Sequence, residues 1–382
     1  MALMKAGDAV QARTLLEDAV LSHPDETSLW LNIAGSCRVL GDLAAAFNAL
    51  EQALRVEPRS FLALLMKASL LERSGSLRQA GIGYGIAIAQ APPPDQLDPP
   101  TRRAFDHARA FHDQYSSDLR DRLAAATAGA RGLSRSPESR RIEAFIDHVA
   151  GRRRPYYQRP MSFFYPGLPA IEFYPREDFP WMDAVEAATP SIQRELMAVT
   201  QASQTGQGFT PYVDYPQGVP LDQWAELNHS PRWNAYHLLA HGGLVPGNSE
   251  QCPRTLQALS LAPQPQVRQR SPAAMFSVLA PRTRIPPHTG VSNTRLVVHL
   301  PLIVPPGCGF RVGNETREWR PGEAWVFDDT IAHEAWNDSH RPRTILIFDI
   351  WSPFLGADER ALISLVTAET DAFNGVGPAD SL

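Results

Sequence analysis

A period of 34 residues runs through the first 95 residues and limits what this part of the chain can form. Four series share the period, namely Gly7, Gly41 and Gly75; Pro24, Pro58 and Pro92; Ala12, Ala46 and Ala80; and Ala19, Ala53 and Ala87. Alanine at fixed positions lets two antiparallel helices pack closely, glycine suits the turn between them, and proline ends the second helix. Because four independent series agree, a chance period in a generic helical bundle is the weaker explanation. The pattern therefore predicts stacked pairs of antiparallel helices.

The second of these units carries a fuller signature, made of Trp30, Ala34, Ala46, Leu50, Ala53 and Pro58. With this spacing, residues 1–92 resemble the tetratricopeptide repeat family. The first unit lacks its opening turn and part of its first helix. The resemblance implies a curved surface that docks a peptide or a protein. An array this short can instead serve only for self-association or packing, and the sequence leaves both uses open.

Proline-rich and basic stretches divide the chain. Residues 91–100 contain five prolines, and residues 101–150 are rich in helix-forming side chains. The basic stretch at 151–159 interleaves arginine with tyrosine, which fits nucleic acid, anionic lipid or a solvated domain junction. The net charge of -5 favours the junction. We therefore predict repeats over residues 1–95, a helical connector over 96–160 and a further domain over 161–382.

Short β-rich runs dominate the chain after residue 273. They are Met275–Leu279, Thr294–Val304, Gly309–Val312, Ala324–Phe327 and Thr344–Trp351, and Pro/Gly turns separate them. Such regular short strands are typical of an antiparallel two-layer barrel of the jelly-roll type, also called a double-stranded β-helix. Helices are predicted on either side, at Asp183–Thr200 and Asp358–Ala372. The predicted fold class is α+β and multidomain, with helical repeats followed by this barrel.

The stretch from residue 285 to residue 302 contains the first candidate site. His288 lies in a turn after two prolines, while Arg295, Val297 and His299 alternate along a strand and so share one face. His333 is predicted at the end of another apolar strand. Two imidazoles from separate strands, with basic side chains between them, indicate a metal and an anionic ligand in one cavity.

Other polar residues near these histidines have simpler explanations. The two aspartates at 328–329 precede His333 and are expected to orient it or to close a turn. His237 and His241 are four residues apart and could share a helix face and a metal. Their stretch is apolar enough to be a β-strand, so we assign both to structural or peripheral roles.

Several motifs in this region recur in one enzyme family. They are His288-Thr-Gly290, Asn293-x-Arg295, His299-Leu-x-Leu, Phe327-Asp-Asp-x-x-x-His333-Glu-x-Trp336 and Arg343-x-x-Leu-x-x-Asp349-x-Trp351-x-Pro353. With the upstream segment at 173–181, they make residues 160–355 resemble the aspartyl/asparaginyl β-hydroxylase family. Members of this family are iron(II)- and 2-oxoglutarate-dependent dioxygenases on a double-stranded β-helix. Tetratricopeptide-like repeats precede the catalytic domain in relatives.

The resemblance implies a role for each matching residue. His288 and His333 would be the iron ligands, completed by water, because the family has glycine, here Gly290, where other oxygenases of this type place a carboxylate. Arg343 would grip the distal carboxylate of 2-oxoglutarate, since a planar guanidinium pairs with both carboxylate oxygens. Ser277 would add a hydroxyl donor to the same carboxylate.

One strand contains both a match to the family and a departure from it. His299 would lie beside the metal-bound end of 2-oxoglutarate, and Arg295 is retained on the same face. Well-known members have an arginine where this chain has Val297, so an apolar wall replaces an anion-binding group. Arg295 can cover part of that role, and it joins Ser277, His299 and Arg343 in the predicted cosubstrate-binding set.

The implied reaction uses O2 and 2-oxoglutarate to hydroxylate an unactivated carbon, with succinate and carbon dioxide as further products. The expected substrate is an Asp/Asn-type side chain in a peptide or protein, and Val297 makes an acyl chain or small metabolite the alternative. A non-catalytic binding scaffold with a remnant barrel competes with both, and it would fit an Arg343 that only pairs with Asp349 or Asp338. A nucleic-acid or membrane-surface module built on the arginines at 152–154 is the weakest hypothesis.

Composition limits the setting in which the chain works. The acidic balance disfavours a general nucleic-acid binder. Cys37, Cys252 and Cys308 are widely spaced and odd in number, which argues against a disulfide framework and fits a reducing compartment. The first residues lack a signal-peptide pattern, and no apolar run reaches membrane-spanning length. We therefore expect a cytoplasmic protein without a membrane span.

Overall fold

The computed structural model describes residues 8–128, 137–202 and 208–375. The chain divides into two compact units, residues 1–154 and residues 155–382. Among the described residues, the first unit contains helices and no strand, while the second contains two antiparallel sheets and four α-helices. The predicted α+β organisation is therefore confirmed. The boundaries predicted at residues 95 and 160 stay predictions, and Gly7 lies outside the described residues.

Seven α-helices form the described part of the first unit. They are α1 (Ala9–Ser22), α2 (Thr27–Val39), α3 (Leu43–Val56), α4 (Phe61–Arg73), α5 (Leu77–Ile88), α6 (Pro99–Ala128) and α7 (Pro137–Val149). Gly41 and Gly75 follow α2 and α4 with φ angles of +78° and +79°. Glycine adopts this left-handed conformation without steric strain, so the chain can turn into the next helix. The helix pairs predicted from the 34-residue period are confirmed.

Small side chains let these helices pack closely. Ala46, Ala53, Ala80 and Ala87 are fully buried, as the repeat pattern requires. Close approach is most evident between α5 and α6. A Cβ atom at Gly81 would lie 2.5 Å from Cγ of Tyr115 and 2.9 Å from its Cβ. The missing side chain at residue 81 therefore makes the space that the Tyr115 ring occupies.

The second unit is built on two antiparallel sheets. The larger contains β1 (Thr210–Pro211), β2 (Trp233–Ala240), β4 (Ala274–Leu279), β11 (Arg343–Trp351), β6 (Arg295–Ile303) and β9 (Trp325–Phe327) in that order, with β3 (Gly243–Leu244) paired to β2. The smaller contains β5 (Thr283–His288), β10 (His333–Asn337), β7 (Cys308–Val312) and β8 (Glu315–Arg317). Strands distant in sequence are thus neighbours, as in the predicted two-layer barrel.

The two faces of the larger sheet have different surroundings. One face buries Phe276, Val298 and Leu346 in a cluster that also holds Ile192 and Leu196 of a flanking helix. The other face points into the space between the sheets, where Ile345 and Val297 join Phe310 of β7. Alternation along each strand sends successive side chains to opposite faces. The first face therefore holds the larger sheet to helices, and the second lines the interior where the candidate residues lie.

Helices cover the outside of the second unit. They are α8 (Met182–Ala187), α9 (Thr189–Ala202), α10 (Pro253–Leu259) and α11 (Ala357–Asn374). The single helix predicted over Asp183–Thr200 is wrong, because α8 and α9 are separate. Pro190 lacks the N–H that a continuous helix would need at that turn. None of the helices among the described residues is both long enough and apolar enough to cross a membrane.

Besides the two-residue strands β1 and β3, four strands of the unit were not predicted, or were predicted only as an alternative. Short β8 and β10 are rich in charged and polar residues, while β5 contains Pro286 and Pro287, which count against a strand. Their hydrogen bonds to neighbouring strands stabilise them. The fourth, β2, shows that the strand alternative for the stretch around His237 is correct and the helix alternative is wrong.

Two glycines of the first unit test how closely its helices pack. Gly35→Ala, in open space on α2, should raise the free energy of unfolding by about 0.5–1 kcal/mol, because alanine favours helix. Gly81→Ala should lower it by about 1–3 kcal/mol, since the new methyl group would overlap the base of Tyr115. Urea unfolding of the full chain, followed by far-UV circular dichroism, measures both changes. Equal stabilisation by the two substitutions would contradict the close approach.

Candidate active site

His288 and His333 come from neighbouring strands of the smaller sheet. His288 ends β5, His333 begins β10, and the antiparallel register sets the two directly opposite each other. The centroids of their rings are 4.0 Å apart. The structure thus brings together the two histidines chosen from the sequence. His333 begins its strand after a turn and does not end β9, which is a small correction to the prediction.

Backbone carbonyl groups orient both imidazoles. Nδ1 of His288 lies 2.8 Å from the oxygen of Pro286, and Nδ1 of His333 lies 3.1 Å from the oxygen of Ile331. Because a carbonyl oxygen only accepts, each Nδ1 donates its hydrogen and each Nε2 keeps a free lone pair. Burial lowers the pKa of His288, and burial together with His288 lowers the pKa of His333 well below its usual value. Both rings are therefore neutral at pH 7, the state that binds a metal.

Gly290 leaves room for the carboxylate of Asp329. A Cβ atom at residue 290 would lie 1.9 Å from Oδ2 of Asp329 and 2.3 Å from its Cγ. The Gly290 N–H also donates to the Asp329 carbonyl at 2.7 Å. No group of three or more His, Cys, Asp or Glu side chains among residues 8–128, 137–202 and 208–375 could hold a metal ion. The described part of the site therefore offers a metal two protein ligands.

The two aspartates at 328–329 have separate partners. Oδ1 of Asp328 accepts from the N–H of Thr330 at 2.9 Å and from its hydroxyl at 2.6 Å, and Gln158 donates to Oδ2 at 2.6 Å. Asp328 thus closes the turn before β10, which is one of the two predicted roles. Oδ2 of Asp329 lies 3.4 Å from Nη2 of Arg295, and burial raises the pKa of Asp329 to about 6.

Arg343 carries a buried charge into the space between the sheets. Its side chain is 1% exposed, and Nε and Nη1 have no hydrogen-bond partner among the described residues. Its guanidinium lies 4.8 Å from the ring centroid of Trp319. Burial lowers the pKa of Arg343 to about 10, so the group stays charged at neutral pH. A buried guanidinium without a counter-ion is costly, and an anionic ligand would relieve that cost.

The ion pairs considered as a structural explanation for Arg343 do not form. Asp338 pairs with Arg284 at 2.9 Å. Asp349 accepts hydrogen bonds from the Ser271 hydroxyl and from the Ala273 N–H. Both carboxylates are thus engaged elsewhere, and the guanidinium remains available to a ligand.

Ser277 lies on β4, the neighbour of β11, and is fully buried. The indole N–H of Trp233 donates to its Oγ at 3.1 Å. Since an indole nitrogen only donates, the Ser277 hydroxyl keeps its own hydrogen for another acceptor. Trp233 was not predicted as a site residue, although it lies in the apolar stretch that became β2. Because Trp233 donates to Oγ, the Ser277 hydroxyl can act as a donor to another group.

His299 is buried among aromatic rings on the interior face of β6. Its ring centroid lies 4.9 Å from that of Phe310 and 4.7 Å from that of Phe327. Nδ1 has no hydrogen-bond partner within the described ranges. Burial and the Arg343 charge lower the pKa of His299 well below its usual value, so the ring is neutral. The face that it was predicted to share with Arg295 and Val297 is confirmed, because their partners on β11 alternate in the same way.

Three aromatic side chains between residues 212 and 233 form a cluster beside His288, and the sequence reasoning missed them. Tyr212 stacks on Trp233 with ring centroids 3.9 Å apart. Trp224 lies 5.1 Å from the His288 ring and Trp233 lies 6.4 Å from it. Three large aromatic residues within 22 positions were the available signal, but aromatic residues are common in any core. They form an apolar wall beside His288.

The other histidine pair does not form a shared helix face. His237 lies within β2, and His241 adopts a left-handed turn with a φ angle of +52°. Burial lowers the pKa of His237. The helix-face metal site considered from the sequence requires a helix that is absent from this described stretch.

A double-mutant cycle tests the contact between Gly290 and Asp329. Gly290→Ala should lower the free energy of unfolding by about 1–3 kcal/mol, because the new methyl group overlaps the Asp329 carboxylate. In an Asp329→Ala background the same change should cost at least about 1 kcal/mol less, since the overlapping atoms are gone. Urea unfolding of the four proteins measures the cycle. Additive effects would contradict the contact.

Comparison with known proteins agrees with the resemblance read from the sequence. Residues 186–353 match the model of the aspartyl/asparaginyl beta-hydroxylase family, and residues 1–50 and 39–95 match the tetratricopeptide repeat model. Among solved structures, a Cupin 2 conserved barrel domain protein from Salinispora arenicola covers 40% of this chain and 99% of its own, at 12% identity and a TM-score of 0.22. This structural likeness is too low to carry an argument.

Three curated relatives illustrate the range of names among similar proteins. Aspartate beta-hydroxylase domain-containing protein 2 from Homo sapiens is 30% identical over 220 residues, which cover 56% of each chain. Human aspartyl/asparaginyl beta-hydroxylase is 33% identical over 39% of this chain and 20% of its own. The ornithine lipid ester-linked acyl 2-hydroxylase of Rhizobium tropici is 32% identical over 47% of this chain and 60% of its own.

The match therefore spans about half the length of the first of these relatives. It includes both histidines, Arg343 and Ser277. Residues 186–353 are thus similar to the aspartyl/asparaginyl beta-hydroxylase family, and tetratricopeptide repeats precede them.

Proposed function

We propose that this protein is an iron(II)- and 2-oxoglutarate-dependent dioxygenase that hydroxylates an unactivated carbon. The observation that carries the proposal is the buried guanidinium of Arg343, whose Nε and Nη1 lack partners in the described structure. It lies in the same interior as two neutral histidines with free Nε2 atoms. An anionic chelator that reaches from a metal to Arg343 would satisfy both, and 2-oxoglutarate carries a carboxylate at each end. The hydroxylase names of the relatives agree with this chemistry.

His288 and His333 fit a metal because their Nε2 atoms remain free, and imidazole nitrogen is a usual ligand of iron(II). Bound iron(II) would supply the redox chemistry by which one atom of O2 enters a C–H bond and the other enters succinate as 2-oxoglutarate loses carbon dioxide. The protein supplies two orienting carbonyl groups, one behind each imidazole. These fix the ring planes, since each carbonyl holds the Nδ1 hydrogen.

Arg343, Ser277 and His299 are proposed to hold the cosubstrate. The guanidinium of Arg343 would pair with the distal carboxylate in a bidentate manner. Ser277 would donate its hydroxyl to the same carboxylate, because the Trp233 indole already occupies its oxygen as an acceptor. His299, neutral and without a partner for Nδ1 in the described part of the chain, would contact the end nearer the histidine pair.

The interior walls are proposed to keep water away from the reaction. Trp224, Trp233 and Tyr212 cover one side of His288. Phe310 and Phe327 cover His299. A dry, rigid interior strengthens the pairing of a carboxylate with Arg343 and holds the reacting carbon in one place.

Two substrate classes are proposed. An Asp/Asn-type side chain in a peptide or protein follows from the family, and the tetratricopeptide repeats could present it or could mediate self-association. An acyl chain or small metabolite is favoured by Val297, which is 8% exposed and offers no charge to a substrate anion. One relative is named as an acyl hydroxylase.

A cytoplasmic setting is part of the proposal. All three cysteines are buried as free thiols. Free, widely spaced cysteines agree with a reducing compartment.

Paired substitutions test the metal and the guanidinium. His333→Ala should abolish Mn(II) binding and succinate formation, whereas His340→Ala, at an exposed histidine, should keep both. Arg343→Leu should weaken 2-oxoglutarate binding to the Mn(II)-loaded protein by about 100-fold or more. It should also raise the stability of the ligand-free protein, because a buried unpaired charge is removed. Arg341→Leu, at an exposed position, is the matched control.

Isothermal titration with Mn(II) and 2-oxoglutarate, together with thermal unfolding, provides the measurements. If Arg343→Leu keeps wild-type affinity for 2-oxoglutarate, the proposed carboxylate site is wrong. Succinate formation that continues in His333→Ala would reject the metal site.

Trp233 gives a finer test of the carboxylate site. Trp233→Phe keeps most of the ring but removes the N–H that engages Ser277, so affinity for 2-oxoglutarate should fall about fivefold. In a Ser277→Ala background the same change should have little effect, since its target is gone. Trp224→Phe, which also lies beside His288, is the control. An equal loss of affinity from Trp233→Phe in both backgrounds would contradict a role through Ser277.

A further inference from the structure

Trp319 is a buried residue of the second unit that neither the sequence motifs nor the proposed cosubstrate set includes. It lies between β8 and β9. Two other rings stack on its indole: Phe310, with ring centroids 5.4 Å apart, and Trp325, with ring centroids 5.8 Å apart. The planes of these rings are within 25° of the indole plane. Because stacked neighbours fix the plane of a ring, the indole is held in one orientation.

The indole ring of Trp319 contacts the charge on which the proposed function depends. The guanidinium carbon of Arg343 lies 4.8 Å from the ring centroid. Cation–π attraction is stronger when both groups are removed from water, and Trp attracts a cation more strongly than Phe or Tyr does. The contact uses the face of the ring, so it leaves the N–H groups of the guanidinium available. Trp319 therefore holds the guanidinium of Arg343 in place without accepting its hydrogen bonds.

The indole N–H of Trp319 is itself a buried donor without a hydrogen-bond partner in the described part of the chain. Nε and Nη1 of Arg343 share this condition within the same ranges. The hydroxyl of Ser277 also keeps a hydrogen to donate, because Trp233 donates to its oxygen. Burying a donor without an acceptor disfavours the folded state. Three side chains thus present unused donors, and a ligand rich in acceptors would satisfy them.

A carboxylate has enough lone pairs for all of these donors. Its two oxygens together offer about four acceptor positions. Two N–H groups of Arg343, the Ser277 hydroxyl and the Trp319 N–H would fill them. A single carbonyl oxygen offers about half as many positions, so it would leave donors of this set without an acceptor.

We infer that Trp319 is a further residue of the carboxylate site: its ring positions the Arg343 guanidinium, and its indole N–H donates to the carboxylate that Arg343 binds. The inference rests on the proposed function and adds a binding residue to its cosubstrate site. Phenylalanine cannot fill this role, since a phenyl ring has no N–H and attracts a cation less strongly.

Substitutions at Trp319 and Trp325 form a matched pair within one aromatic stack. Trp319→Phe removes the donor and weakens the ring contact, so the affinity of the Mn(II)-loaded full chain for 2-oxoglutarate should fall about tenfold. Trp325→Phe removes an indole N–H from the neighbouring ring and should leave this affinity about unchanged. Trp319→Leu removes both the ring and the donor, so the loss should reach about 100-fold. Isothermal titration measures all three affinities.

A second ligand, 2-oxobutanoate, separates a role in carboxylate binding from a loss of packing, even if the leucine variant does not fold. This keto acid lacks the distal carboxylate that Arg343 would bind. Trp319→Phe should therefore leave the affinity for 2-oxobutanoate about unchanged. In turnover, the same variant should raise KM for 2-oxoglutarate about tenfold and keep kcat near its wild-type value. An equal loss of affinity for both keto acids, or wild-type affinity for 2-oxoglutarate, would overturn the inference.

Glutarate distinguishes a failure of this inference from a failure of the proposed function, because it has two carboxylates and no keto group. If the protein neither binds Mn(II) nor forms succinate, but binds glutarate more weakly after Trp319→Phe, the carboxylate site holds and the dioxygenase proposal is wrong. If Arg343→Leu weakens 2-oxoglutarate binding and Trp319→Phe does not, the proposed function holds and the role of Trp319 is wrong.

Discussion

A buried guanidinium that no carboxylate of the described residues neutralises is the constraint around which the second unit is arranged. Arg343 begins the central strand β11, pairs through its backbone with β4, and reaches an interior of aromatic rings. Keeping a charge there disfavours the folded state by several kcal/mol unless a ligand compensates. The nearby aspartates Asp338 and Asp349 are both occupied by other partners. The fold thus keeps the Arg343 guanidinium buried at a free-energy cost that pairing with a bound dicarboxylate would offset.

The two-layer construction separates stability from chemistry. The outer face of the larger sheet packs on helices through aliphatic side chains and contains none of the candidate ligands. The inner face holds His299, Ser277 and Arg343 and faces the strand pair that carries the histidines. On the smaller sheet, the paired strands β5 and β10 bring His288 and His333 together. The described residues add no third protein ligand there. Because the outer face supplies the apolar packing, the inner face can keep unpaired polar groups whose burial disfavours the folded state.

Part of this arrangement could be predicted from the sequence because it depends on local pattern. The 34-residue period predicted the helix pairs, and alternation along residues 295–299 predicted the shared face. The strands β5 and β10 could not be predicted in the same way, since two prolines and several polar residues hide their pairing. The contact of Gly290 with Asp329 joins residues from two loops, so neither position alone indicates it. Trp233 escaped notice for a similar reason: its hydrogen bond to Ser277 spans 44 residues.

Gly290 and Val297 differ in what they imply. At Gly290 the absent side chain is a steric requirement, because Asp329 fills the space. At Val297 the apolar side chain leaves Arg295 as the cation of β6 on that face. The first explains why residue 290 cannot supply a carboxylate as a third ligand, and the second agrees with the proposed alternative of a substrate less polar than an aspartyl side chain.

The central claim is that one interior holds a metal on two histidines and a dicarboxylate on Arg343. An anaerobic crystal structure with Mn(II) and 2-oxoglutarate, with anomalous data collected at the manganese edge, tests it most directly. The account predicts one manganese peak bonded to Nε2 of His288 and of His333, with the distal carboxylate of 2-oxoglutarate on the Arg343 guanidinium. A manganese peak away from the histidines, or 2-oxoglutarate bound without contact to Arg343, would contradict it.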